Sequence, residues 1–158
     1  MTSAAVEEYL SLTETMIAQP FPEADVQDAG GYGGPGYRVR ILRASQDFWD
    51  DPDGQAWERA ERELRADLEA LGATFTERWG EPREVDLWPC LRAGCEGEAV
   101  PEPYASLSGH VVGVRVWPLP ERGRWLGLAV GQEDKELPLE LVAVVAAGSP
   151  LDRPGPVG

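Results

Sequence analysis

GRWLGLAVGQEDKELPLELVAVVAA, residues 123–147, decides how the chain must fold. Leu126, Leu128 and Val130 alternate with Trp125, Gly127 and Ala129, and a period of two sends the two sets to opposite faces of a strand. That strand is central. After the charged turn 132–136, the residues Leu137, Leu139, Leu141, Val142, Val144 and Val145 are too dense for a solvated face, so 137–146 is buried as well. Its type stays open: Asp134 could cap a helix with Pro138 in the first turn, yet the run is equally strand-like.

Upstream, residues 110–117 carry Val112, Val114 and Val116 in alternation, and PLPERG then turns the chain. The two alternating runs predict a hairpin that aligns these valines with Leu126, Leu128 and Val130 on one face. Residues 73–87 hold two further alternating runs, Phe75 with Trp79 and Val85 with Leu87, around a turn at 80–82, which predicts a second hairpin. Between the hairpins, 92–109 reads as a polar excursion.

Two helices are expected. Residues 5–18 place Val6, Tyr9, Leu10, Thr13 and Ile17 on one stripe, with Thr2 or Ser3 as N-cap and an end before Pro20. Asp51 before Pro52 starts the second, which keeps Trp57, Ala60, Leu64, Leu68 and Leu71 in helical phase and meets Gly72 as its C′ glycine. Tyr37, Val39 and Ile41 alternate with Arg38 and Arg40, so 37–41 is a strand. Residues 20–36, with five Gly and three Pro, read as a loop. The fold class that results is α+β: an antiparallel sheet of about five strands with two or three helices packed mainly on one face. A single domain over 1–147 and a flexible Gly- and Pro-rich tail over 148–158 complete the expectation.

The 158 residues carry a formal net charge of −14, and residues 51–100 alone hold 13 acids against 6 bases. Such a balance repels phosphate backbones, so no nucleic acid is expected as a partner. No apolar run nears the roughly 20 residues that span a bilayer, and acids stand where a leader would carry Lys or Arg, so no membrane association and a cytoplasmic setting are expected. One Lys, no Asn and many Ala, Gly, Pro and Arg match the coding of a GC-rich bacterial genome.

Motifs for chemistry fail one after another. GGYGGPG has the glycine density of a phosphate loop, but no Lys followed by Ser or Thr completes it and a strand follows. Aligning DDPDG with a calcium loop puts Trp49 and Ala60 where acids are required. Cys90 and Cys95 are spaced C-x4-C with His110 the only histidine, one ligand short of a structural zinc site. No metal or cofactor is therefore expected. A hydrolase or thiol enzyme would have to pair His110 with Cys90 or Cys95, or with Ser106 or Ser108, none of which lies in a nucleophile motif.

What remains is surface. Asp50, Asp51 and Asp53 form one acidic cluster and Glu133, Asp134 and Glu136 another, and both double as helix-capping or turn residues. Six tryptophans are many for this length; Trp88 is out of phase with Val85 and Leu87, while Trp117 and Trp125 fall on the small-residue face of the expected hairpin, where a helix would cover them. The leading expectation is an acidic domain that binds a protein partner, a basic one by charge, with immunity-type inhibition of a basic toxin as a concrete form. The alternatives are the His110 enzyme above and a small-molecule-sensing domain with a cavity between sheet and helices.

Overall fold

The computed structural model describes residues 1–150, in the order α1 (Ser3–Ala18), β1 (Val26–Asp28), β2 (Gly31–Gly34), β3 (Tyr37–Ala44), α2 (Gln55–Trp79), β4 (Arg83–Asp86), α3 (Trp88–Cys95), α4 (Tyr104–Ser108), β5 (Gly113–Leu119), β6 (Arg124–Gly131) and β7 (Glu140–Ala147). All seven strands form one antiparallel sheet in the order β1-β2-β3-β7-β6-β5-β4. The α+β class stands, with more strands than the five expected. Of the expected tail, 151–158 lies outside the described residues. Among the described residues no helix is long and apolar enough to cross a membrane.

The stretch 123–147 supplies β6 and β7, and within 137–146 the chain is strand from Glu140 onward, with no helix. Glu140 to Ala147 pairs with β6 on one side and β3 on the other, so its backbone groups are satisfied within the sheet. Asp134 consequently caps no helix; its carbonyl accepts from Leu137 N at 3.0 Å and its carboxylate from Lys135 N at 2.7 Å, closing a turn.

Helices cover both faces of the sheet, where coverage mainly on one was expected. Leu126, Leu128, Leu141, Ala143 and Val145 pack under α1 and α2 with Met16, Leu64, Leu68, Leu71 and Phe75. Trp125, Ala129, Val142, Val144 and Ala146 form a second core with Cys90, Tyr104 and Leu107 of α3 and α4. The polar excursion 92–109 thus contains part of α3 and all of α4, short helices whose stripes are too brief to show a period.

Burial on both faces also explains the shifted hairpin register. Trp117 pairs with Leu126 and Val116 with Gly127, so Val114 and Val116 point to the second core, and Val112, before the strand, is exposed. Alternation cannot choose between registers when either face accepts apolar residues. Trp117 and Trp125 end on opposite faces: Trp117 meets Phe75 edge-on at 5.3 Å, and Trp125 stacks on Tyr104 at 5.7 Å. Only Trp125 covers the second face against a helix, as expected of both.

α2 runs through Gly72 to Trp79, which removes the expected hairpin over 73–87; β4 pairs instead with β5. Leu64, Leu68, Leu71 and Phe75 continue one helical stripe, and their burial outweighs the roughly 1 kcal/mol that a mid-helix glycine costs. Gly72 is there for packing: a Cβ would stand 3.1 Å from Arg115 Nη1, in the guanidinium that bridges Glu69 and Glu84 at 2.9 and 2.8 Å. The helix begins at Gln55, after Pro52, and Asp51 caps it from a distance by accepting from Ala56 N and Trp57 N at 3.0 and 3.1 Å. Buried Asp67 on α2 is held by Arg43 of β3.

The glycine-rich segment expected to be a loop contains β1 and β2, a small hairpin at the sheet edge. Gly31 has φ 149° and lies against the Val39 carbonyl, where no side chain fits. Alternation of glycine carries no hydrophobic signal, so the strand was invisible to patterning.

Phe75 is fully buried between Trp79 and Trp117, and Phe75→Ala should cost about 3–5 kcal/mol in urea unfolding. Trp49, 69% exposed, should change stability by less than about 0.5 kcal/mol when replaced by Ala. A Phe75→Ala variant as stable as wild type would contradict the continuous α2.

Candidate functional site

Ala44 pairs with Glu140 and Gly131 pairs with Glu140, so the connections 45–54 and 132–139 leave the sheet at the same end. Backbone bonds join them: Ser45 N donates to Leu139 O at 2.8 Å and Phe48 N to Glu136 O at 2.9 Å. Gln132 locks the junction. Its amide donates to Leu137 O at 2.8 Å, its carbonyl oxygen accepts from Trp57 Nε1 at 3.0 Å, and its backbone N–H donates to His110 O at 2.8 Å.

The two acidic clusters, far apart in sequence, therefore share one end of the molecule. Asp50, Asp53, Glu133 and Asp134 are exposed there, and Asp51 and Glu136 are half-buried. Asp51 is committed to capping α2, and Asp53 accepts from Gln55 N at 3.1 Å. Lys135, the only lysine, lies 3.7 Å from Glu136 and is exposed, a pairing that neutralises little. Trp49, 69% exposed, directly precedes Asp50 and Asp51 on the first of these loops. A depression of about 460 Å³ lies between the loops, lined by Phe48, Asp51, Gly54, Trp57, Gln132, Lys135 and Glu136.

Glu133 also borders a cleft of about 510 Å³ with Asp25, Val26, Gln27, Tyr32, Gly33, Tyr37, Ser106 and His110. β1 and β2 form one wall and the end of α4 the other. Gly34 keeps that wall open, because a Cβ would come within 2.5 Å of the Asp25 carboxylate and 2.9 Å of the Tyr37 ring. Tyr32 Oη and His110 Nε2 lie 2.9 Å apart, and His110 Nδ1 is buried with no hydrogen-bond partner. The Tyr32 ring meets Tyr37 at 6.3 Å and His110 at 6.0 Å, both edge-on.

Burial depresses the His110 pKa below its usual 6.5, against an upward pull from Glu133. Burial raises the Tyr32 hydroxyl well above the ordinary phenol range, reinforced by Glu102, Tyr37, Glu133 and Glu140. Tyr37 is raised by burial and Glu102, and Glu140 by burial and then Glu133. At neutral pH the cleft therefore holds a neutral imidazole and two protonated phenols among carboxylates.

The catalytic candidates are only partly assembled. Ser106 lines the cleft with His110, but its hydroxyl donates to Glu102 Oε2 at 2.5 Å and the imidazole is engaged by Tyr32. Ser108 is buried and donates to Ala105 O at 3.0 Å. Cys90 is buried in the second core, Cys95 is exposed, they form no disulfide, and neither lines the cleft. Among the described residues no group of three or more His, Cys, Asp or Glu is placed to hold a metal. Patterning missed Asp25, Tyr32, Tyr37 and Gln132; the one available signal was a tyrosine isolated between glycine pairs.

Comparison with protein-family models, with curated proteins and with solved structures finds no match.

A depressed His110 pKa contributes stability that is complete above the unfolded value of about 6.5 and is lost as pH falls from there toward the folded midpoint. The raised Glu140 pKa works oppositely: its contribution is full below about 4.5 and is lost as pH rises through the folded value. As the only imidazole, His110 should titrate by NMR with a midpoint below 6.5, and Glu133→Gln should lower that midpoint further. A midpoint at or above 6.5 would contradict the burial of the ring.

Proposed function

We propose that the chain is a binding domain for a basic protein, acting in the cytoplasm through the acidic end of its sheet. The observation that carries this reading is the convergence of 45–54, which bears exposed Trp49, with 132–139 at one end of the sheet. An exposed aromatic ring on the loop that also carries Asp50, Asp51 and Asp53 offers a partner an apolar anchor and a complementary field together. Inhibition of a basic toxin, in the manner of an immunity protein, is the concrete form that best suits such a surface. Catalysis is the weaker reading, because His110 pairs with Tyr32, whose hydroxyl burial keeps protonated, and not with Ser106, Ser108, Cys90 or Cys95.

The surface is locally rigid. Gln132 and the backbone bonds around it hold both loops against α2, so little ordering entropy opposes association. Long-range attraction from a net charge of −14 would speed encounter, and the speed should fall with salt.

Interferometry against a panel of basic and acidic proteins, at about 0.01 M and 1 M salt where the Debye length is about 30 and 3 Å, tests the reading. At least one basic protein should bind, more tightly at low salt. Trp49→Ala should weaken that complex about 30-fold, the effect of losing about 2 kcal/mol at a central anchor. Substituting Asp50, Asp53 and Asp134 together by Asn should slow association and flatten the salt dependence. Binding to no basic protein, or binding indifferent to both variants, would contradict the proposal.

A further inference from the structure

The cleft beside the acidic end has a composition that selects for one kind of ligand group. Asp25 and Glu133 stand exposed at its rim, Tyr32 and Tyr37 supply aromatic rings, and Ser106 supplies a hydroxyl. No Lys or Arg lines it. The charged groups acting on its two tyrosines are Asp25, Glu102, Glu133 and Glu140, all carboxylates, and burial biases His110 toward its neutral form. Carboxylates focused into a concavity with low-dielectric walls give a strongly negative potential. A side chain at Gly34 would clash with both the Asp25 carboxylate and the Tyr37 ring, so glycine there lets both groups approach the same point of β2.

We infer that this cleft seats a guanidinium group, presented by an arginine side chain of the basic partner. A cation over an aromatic face is attracted by the ring quadrupole, even at an exposed site. Guanidinium fits better than ammonium. It is planar, stacks on aromatic faces, loses less hydration on burial and carries five donors in a fixed fork. The carboxylates of Asp25 and Glu133 provide separated acceptors for that fork. A volume of about 510 Å³ lies within the roughly 300–1,000 Å³ of ligand sites. Because Glu133 belongs both to the cleft and to the acidic turn, one partner can engage Trp49 and the cleft at once.

The inference rests on the reading of the chain as a partner for a basic protein, but it can fail separately. The probe is N-acetyl-arginine amide, followed by NMR at Tyr32, His110 and Glu133, with N-acetyl-lysine amide and neutral N-acetyl-citrulline amide as comparisons. Saturable shifts confined to the cleft are expected with the arginine probe, weaker ones with lysine and none with citrulline. The double variant Asp25→Asn, Glu133→Gln should weaken the arginine probe about tenfold or more while spectra elsewhere stay unchanged. Tyr32→Phe should retain binding, since the ring face and not the hydroxyl receives the cation. Equal shifts with citrulline, no saturable shift, or undiminished binding in the double variant would overturn the inference. The double variant keeps Trp49, Asp50 and Asp53. A basic protein bound equally by it and by wild type therefore removes the cleft inference and leaves the broader reading standing; arginine-probe binding without any protein partner does the reverse.

Discussion

β6 and β7 are buried on both faces and hydrogen-bonded on both edges, and every other element is placed by that constraint. Apolar side chains on two faces need two covers. α1 and α2 supply the first, anchored by the continuous stripe from Leu64 to Phe75. α3 and α4 supply the second, where Tyr104 lies flat against Trp125. Without the second cover Val116, Val142 and Val144 would meet water, at about 25 cal/mol per Å² of apolar surface left uncovered.

The proposed binding surface follows from the same arrangement. Antiparallel pairing of β3, β7 and β6 brings three strand termini to one end of the sheet, so their connecting loops become neighbours whatever their separation in sequence. Gln132 and the backbone bonds beside it hold those loops against α2 and His110. The second cover ends at Ser108, two residues before His110, and the β1–β2 hairpin faces it across the cleft. Acidic loops and acidic cleft thus meet at Glu133.

Long, one-sided periodicity was legible in the chain, and two-sided or short periodicity was not. The α1 stripe, the β3 alternation and the burial of 137–146 could all be read from residues. Register in β5 and β6 could not, because Val114 and Leu128 are equally suited to either core. Gly72 misled because its usual meaning at a helix end is conformational, whereas here it admits Arg115. Asp51 and Asp53 were readable as caps from their place before α2. Their proximity to Glu133 and Asp134 was not, since a long-range juxtaposition leaves no local mark. Tyr32 was hidden in a segment whose glycines suggested a loop, and Tyr37 was read only as a buried strand residue.

The proposed function requires charge to be organised into a site and not merely spread over the surface. A chemical-shift map of the protein with an arginine-rich peptide at low salt tests this most directly. Organised charge predicts perturbations concentrated in 45–54, 132–139 and the Tyr32–His110 cleft, with the exposed acids Glu58 and Glu63 of α2 left undisturbed. Perturbations spread over α2 and the loops in proportion to local charge would contradict it.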